Sequence, residues 1–170
     1  MTTPPTPNAA STAPKMPLPC IDRITQLELG KAARASRRVE ASEEYFIDHF
    51  SEYAVLPGVL QLEGMVQTAA WLVLASEDFA RSQVRMTACS QAKYSQLVRP
   101  GMDIEFEANI APAGDAQYDV KGRVTEQGKT VATARFRLES KTIGDTAPRF
   151  AHLEPLINDK NRRIFLGLTS

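Results

Sequence analysis

Apolar and polar residues alternate with a period of two through much of the second half of the chain. The alternation is clearest over residues 104–110 and 132–138, where every second residue is apolar and its neighbours are polar or charged. This pattern is typical of strands that bury one face in an antiparallel sheet. Gly30 favours a turn between two earlier strands, and Gln127 and Gly128 favour one between two later strands. Six strands are expected, over residues 21–29, 32–39, 84–94, 104–110, 118–124 and 129–139.

A different pattern covers residues 58 to about 79, where apolar residues occupy most of the helical circumference. Such a helix must be wrapped by other structure. Pro57 suits the helix start, because its missing N–H would find no partner there. The apolar run 56–75 is nearly long enough to cross a bilayer, but it contains Glu63, which costs about 2.5 to 3.5 kcal/mol in a membrane. A buried helix, with no membrane partner, is therefore favoured.

The two ends of the chain have a different composition. Residues 1–19 are rich in Pro, Thr, Ala and Ser, lack the features of a secretory signal, and are expected to form a disordered tail. A short helical turn is expected over residues 43–47, followed by a loop to Leu56. Residues 143–170 show no clear period and are left as an extension of unknown structure, in which Ile164, Phe165 and Leu166 could dock on the domain.

Composition narrows the functional classes. Twenty basic residues balance twenty acidic ones, so no overall positive field favours nucleic acid. The two cysteines are far apart, which indicates idle thiols in a reducing, cytoplasmic compartment. No Gly-rich phosphate loop or His/Cys cluster is present, so no cofactor and no metal are expected.

Three features in the central segment can carry acid–base chemistry. Glu63 lies six positions into the apolar helix, His49 precedes the loop that leads to the helix, and the helix start itself offers unpaired N–H groups. Together they supply an acid, a base and an oxyanion site for chemistry beside a carbonyl. The alternative is that Glu63 and Gln67 point outward or satisfy each other across one helical turn. The second histidine, His152, is expected at the surface.

The segment DHFSEYAVLPGVLQLEGMVQ, residues 48–67, resembles the signature of β-hydroxyacyl-acyl carrier protein dehydratases. In that family a His-Phe pair precedes Pro-Gly-Val-Leu and an acid within the helix, with the spacing seen here between His49, Pro57 and Glu63. PLPCIDRI, residues 17–24, and AKYSQLVRPGMDIEFEANI, residues 92–110, are similar to other parts of the family pattern. The resemblance implies an α+β hot dog fold over residues 20–142, with a curved antiparallel sheet around one long helix.

The resemblance also implies a reaction, the removal of water from a 3-hydroxyacyl thioester to give the trans-2-enoyl thioester in fatty acid or related acyl-chain biosynthesis. His49 would take the proton beside the carbonyl, and Glu63 would protonate the departing hydroxyl. The N–H groups near Gly58 and Val59 would hold the oxyanion, and further residues would line the substrate site, namely Phe50, Pro57 and Gln67. The substrate would be carried by acyl carrier protein or coenzyme A, and the enzyme would be a homodimer, or an assembly of dimers, with sites shared between two chains.

Some positions depart from the family pattern. Asp48, Ser51, Glu52 and Ala54 replace usual glycine and proline residues, and the added carboxylates would favour protonated His49. Glu63 argues against the dual dehydratase/isomerase, which carries Asp there. Two alternatives are a hot dog thioesterase and an acyl-thioester binding or assembly module that has lost turnover. Because acyl carrier proteins are acidic, a local basic patch is expected, with these candidates: Arg81, Arg85, Lys93 and Arg99.

Overall fold

The computed structural model describes residues 18–48 and 53–170. Within these residues the main feature is a six-stranded antiparallel sheet, with strand order β1-β2-β4-β5-β6-β3. The strands are β1 Arg23–Glu28, β2 Ala32–Arg38, β3 Gln83–Tyr94, β4 Asp103–Gly114, β5 Gln117–Glu126 and β6 Lys129–Lys141. The helices are α1 Tyr45–Asp48, α2 Gly58–Ser76, α3 Ile143–Thr146 and α4 Glu154–Thr169, with a 3₁₀ helix over Pro148–Leu153. The α+β architecture expected from the sequence is confirmed.

The alternation read from the sequence matches the buried face of the sheet. The apolar residues that alternate along β4 and β6 are all buried, and the charged residues between them are half-buried or exposed. The turns are also as expected, since Gly30 and Gly128 adopt positive φ angles of 73° and 77°. The six expected strands are all present, and their ends differ by a few residues from the predicted ones.

Helix α2 contacts all six strands, so the sheet wraps around it. Two glycines allow the close approach. A Cβ on Gly64 would lie 2.3 Å from the ring of Phe106, and a Cβ on Gly122 would lie 2.7 Å from the sulfur of Met65. By length and composition alone α2 could span a membrane, but 56% of an apolar stretch of 18 residues in this helix is buried inside the protein. That burial is what the sequence interpretation as a core helix requires.

Helix α2 ends at Ser76, three residues before the predicted end. Asp78 and Phe79 adopt positive φ angles of 48° and 57°, which reverse the direction of the chain. The Phe79 N–H donates to the Leu74 carbonyl at 2.7 Å, and the Phe79 ring is buried. The apolar character of residue 79 therefore belongs to the turn after the helix and not to the helix itself.

The C-terminal extension is helical, which the sequence analysis did not predict. The partly or fully buried positions of α4 include polar residues among the apolar ones, so the apolar stripe is interrupted: Glu154, Ile157, Asn158, Asn161, Ile164, Phe165 and Leu168. Exposed leucines, including Leu166 at 66% exposure, obscure the period further. Ile164 and Phe165 pack against the core as anticipated, but the expected docking of Leu166 is wrong.

Candidate active site

Glu63 lies in the second turn of α2, where its side chain is half-buried. Its Oε1 accepts a hydrogen bond from Gln67 Nε2 at 2.9 Å, so the contact across one helical turn that the sequence allowed does form. Among the described residues, no donor is recorded for the other carboxylate oxygen, Oε2. The Gln67 contact therefore orients the carboxyl group and leaves one oxygen available for other contacts.

Gln67 also ties the segment before β1 to the helix. Its Nε2 donates to the Leu18 carbonyl at 2.8 Å, and its Oε1 accepts from the Cys20 N–H at 2.9 Å. Cys20 is fully buried, and this burial raises the pKa of its thiol. The family resemblance implies that Gln67 lies beside the substrate. These contacts show that Gln67 also positions Glu63 and the segment before β1.

The start of α2 presents free amides. Pro57 is the residue before the helix, and its carbonyl accepts from the N–H groups of Leu60 and Gln61. Within the described residues, the N–H groups of Gly58 and Val59 have no acceptor. A helix start with free N–H groups and the positive end of the helix dipole favours an oxyanion.

The geometry of the helix fixes the spacing between these features. Glu63 follows Gly58 by five residues, or about 7.5 Å along the axis at 1.5 Å per residue. Both features therefore lie within the first two turns of the same helix. The described part of the site can thus hold a developing negative charge and supply a proton.

His49 and Phe50 lie outside the residues that the structure describes, so their placement stays a prediction. The chain on either side is well anchored. Before the gap, Phe46 in α1 is buried; after it, Leu56 is buried and its N–H donates to the Val98 carbonyl at 2.8 Å. The described residues on both sides of positions 49–52 are therefore fixed against the domain that holds Glu63.

A largely buried ion pair lies just before residues 49–52, and the sequence alone did not indicate it. Arg37 is only 5% exposed and donates to Glu43 and to the Tyr45 hydroxyl, the latter at 3.1 Å. Burial, together with the hydrogen bond that Tyr45 donates to Glu43, raises the pKa of Tyr45. The available signal was the period of β2, which puts Arg37 on the same inward face as Ala33 and Ala35.

Tyr94 is a second residue near the site that the sequence analysis did not single out. It is the last residue of β3, and its ring lies 3.0 Å from where a Cβ on Gly58 would be. The glycine thus leaves room for this ring at the helix start, and partial burial raises the pKa of the phenol. Periodicity assigns a strand residue to a face but does not say which helix end the strand meets.

Two of the four residues of the expected basic patch already form ion pairs. Arg81 is paired with Glu77, and Arg85 with Glu139. Lys93 and Arg99 are exposed and have no ion-pair partner within the described part of the chain. These two cations remain available to an acidic partner.

The comparisons with known proteins agree on one family. The sequence model of the FabA-like domain matches residues 13–135. A protein of Bacillus subtilis, named 3-hydroxyacyl-[acyl-carrier-protein] dehydratase FabZ, is 32% identical over 117 residues, covering 69% of this chain and 83% of the relative. A protein of the same name from Erythrobacter litoralis is 31% identical over 124 residues, with coverages of 72% and 82%.

Solved structures share the fold at lower identity. The dehydratase heterocomplex ApeI:P from Xenorhabdus doucetiae matches with a TM-score of 0.63 and 11% identity, over 77% of this chain and 88% of that one. The protein smu.793 from Streptococcus mutans, bound to acetyl CoA, matches with a TM-score of 0.55 and 14% identity, over 71% and 88%. With the matched family, these likenesses identify the sheet wrapped around α2 as a hot dog fold. The chain therefore belongs to the FabA-like domain family, in agreement with the resemblance read from residues 48–67.

Proposed function

We propose that this chain is a 3-hydroxyacyl-acyl carrier protein dehydratase of fatty acid or related acyl-chain biosynthesis. The reaction removes a proton from the second carbon of a 3-hydroxyacyl thioester and a hydroxyl from the third, giving the trans-2-enoyl thioester and one water. The support is the agreement between the relatives, each named as such a dehydratase over most of its length, and the position of Glu63 on the core helix.

His49 is the base that takes the proton from the second carbon. Electron density moves from that bond onto the thioester carbonyl, where the N–H groups of Gly58 and Val59 stabilise the negative charge. Glu63 then donates its proton to the departing hydroxyl, and the double bond forms between the second and third carbons. A general acid or base contributes about 10²- to 10⁴-fold, and one oxyanion donor about 10²- to 10³-fold.

The observation that carries this proposal is the layout of the first two turns of α2. One carboxylate oxygen of Glu63 is held by Gln67 and the other has no donor within the described residues, about 7.5 Å along the axis from two amides without acceptors. A general acid needs one oxygen free.

The same proposal includes a homodimer. Strand β3 is an edge of the sheet, twelve residues long, and all ten residues from Arg85 to Tyr94 are exposed. A long exposed edge with unpaired backbone groups is a surface for pairing with another strand. Pairing of β3 with its copy would make one continuous sheet, as the family resemblance implies, and light scattering after gel filtration measures the mass.

The substrate carrier and the compartment are part of the proposal. Lys93 and Arg99 offer free positive charge to an acidic acyl carrier protein, which favours the carrier-bound substrate. The thiols of Cys20 and Cys89 are free, which suits the reducing cytoplasm.

The test is the reaction itself, followed in two channels. The purified protein is mixed with 3-hydroxyacyl-acyl carrier protein, and enoyl absorbance is recorded beside the release of free thiol. We expect enoyl formation without thiol release. Thiol release alone would indicate a thioesterase, and a folded protein without either signal on several chain lengths would indicate a binding module.

Variants assign the roles. We expect His49→Ala and Glu63→Gln each to lower kcat by at least 10²-fold while circular dichroism stays unchanged. His152→Ala and Glu126→Gln are the matched controls, one exposed histidine and one half-buried glutamate, and both should retain activity. Wild-type turnover in either of the first two variants would remove that residue from the mechanism.

A further inference from the structure

A cavity of about 460 Å³ lies between α2, the start of β3 and α4. Helix α2 contributes Gln67, Ala70, Trp71 and Leu74 to its wall, and Ile164 of α4 faces them. Most of the wall is carbon, so the cavity suits an apolar occupant.

The cavity continues the candidate active site. Gln67, which lines the cavity, donates the hydrogen bond to Glu63, so the two sites share a wall. Counting from Glu63, the α2 residues of the cavity follow at four, seven, eight and eleven positions, which places all of them on one face of the helix. A molecule whose reacting carbon lies at Glu63 can therefore extend along this face into the cavity.

The far wall is firmly attached. In α4, the Phe165 ring lies 6.2 Å from the Trp71 ring and 5.5 Å from the Phe79 ring, centroid to centroid. Asn161 Nδ2 donates to the Ser82 carbonyl at 2.9 Å, next to Ile164 in the same wall. Aromatic contacts and a partly buried hydrogen bond together resist displacement of α4.

This wall lies outside the residues that the family model matches. The FabA-like match ends at residue 135, and α4 spans Glu154–Thr169. The match to the family model therefore does not cover α4.

We propose that the cavity holds the acyl chain of the substrate and that α4, through Ile164, sets the longest chain that the enzyme accepts; this rests on the proposed function. Trp71 follows Glu63 by eight residues, or about 12 Å along the helix axis. An extended alkyl chain advances ~1.3 Å per carbon. Leu74, the last α2 residue in the wall, follows Glu63 by eleven residues, or about 16 Å. About nine to twelve carbons therefore fit beyond the hydroxyl-bearing third carbon, so substrates of about fifteen carbons or fewer are preferred.

The test varies the wall and the substrate together. The wild-type protein and two variants, Ile164→Ala and Ile164→Trp, are assayed on 3-hydroxyacyl-acyl carrier protein of four to sixteen carbons. Each additional methylene that can be buried is worth about fourfold in affinity. Ile164→Ala should make room for about two more methylenes and so raise kcat/KM for the sixteen-carbon substrate relative to the eight-carbon one by about 15-fold. Ile164→Trp should move the length limit to shorter chains.

Leu166→Ala is the matched control, because Leu166 lies on the same helix with its side chain 66% exposed. We expect this variant to keep the wild-type chain-length profile. An unchanged profile in both Ile164 variants, with folding intact, would overturn the proposal.

Binding separates this inference from the proposed reaction. Saturated S-alkyl-pantetheine thioethers of the same lengths are titrated by calorimetry, since they bind without reacting. If turnover is absent but affinity depends on length and shifts in the Ile164 variants, the dehydratase proposal fails and the role of the wall stands. Affinity independent of length in the wild-type protein would contradict the role of the wall, whatever the activity.

Discussion

Replacement of Gln67 by leucine should lower both the stability of the protein and its catalytic rate. The Gln67 amide makes three hydrogen bonds, to the Glu63 carboxylate, the Leu18 carbonyl and the Cys20 N–H, at 2.8 to 2.9 Å. Leucine has a similar size and can make none of them. Gln67→Leu therefore removes the partner that orients Glu63 and releases the segment before β1 in one step.

The size of the effect follows from burial. Cys20 is fully buried, so its N–H is left without an acceptor, at a cost of about 1 to 3 kcal/mol. For a chain of this length each kcal/mol lowers Tm by about 2 to 4 °C, so a loss of about 2 to 12 °C is expected. Displacement of a catalytic acid by about 1 Å can lower the rate by about 10²-fold. We therefore expect kcat to fall by a larger factor than KM rises.

Calorimetry and steady-state kinetics measure the two effects. Gln26→Leu, at an exposed position on β1, is the matched control and should change neither Tm nor kcat. Gln67→Glu keeps an acceptor for the Cys20 N–H but replaces the donor to Glu63 with a second carboxylate, so Tm should fall less than in Gln67→Leu while kcat still falls. A Gln67→Leu protein with wild-type Tm and wild-type kcat would refute the reasoning.

Three further predictions concern the fold. Gly64→Ala should lower the free energy of unfolding by about 1 to 3 kcal/mol, because its Cβ would lie 2.3 Å from the Phe106 ring; an unchanged urea midpoint would contradict this. Gln61→Leu should change the free energy of unfolding by less than about 1 kcal/mol in urea unfolding, because it removes a buried Oε1 without a partner among the described residues together with the 3.4 Å hydrogen bond that Nε2 donates to the Leu56 carbonyl; a larger loss would contradict this. Burial and a hydrogen bond to Glu77 raise the pKa of Tyr118 from 10.0 to about 12, so its contribution is complete below about pH 10 and is lost as pH rises through about 12. Tyr118→Phe should flatten that alkaline decline, and an equally steep decline in the variant would exclude Tyr118 as its cause.

The sequence predicted the sheet and the core helix well because the local spacing of apolar residues indicates both. Phe106 and its alternating neighbours in β4 are buried as the period of two requires, and α2 begins at Gly58 as expected. Helix α4 was missed because Asn161 interrupts its buried stripe and exposed leucines add apolar residues to its other face.

The site was less accessible to sequence reasoning, because its geometry depends on contacts between distant residues. Glu63 and Gln67 lie one turn apart, and their hydrogen bond follows from helix geometry. Nothing local indicates that Gln67 also binds Cys20, 47 positions away, or that Tyr94 from a strand end packs on Gly58. Such contacts arise from the tertiary arrangement of strands around α2.

The most direct test of the central claim mixes two inactive proteins. His49→Ala and Glu63→Gln chains are unfolded together, refolded, and assayed for dehydration after mass spectrometry has verified mixed dimers. If each site joins His49 of one chain to Glu63 of the other, one site in each mixed dimer is intact, and random pairing returns about a quarter of wild-type activity. Verified mixed dimers that stay inactive, or single variants that retain full turnover, would contradict the account.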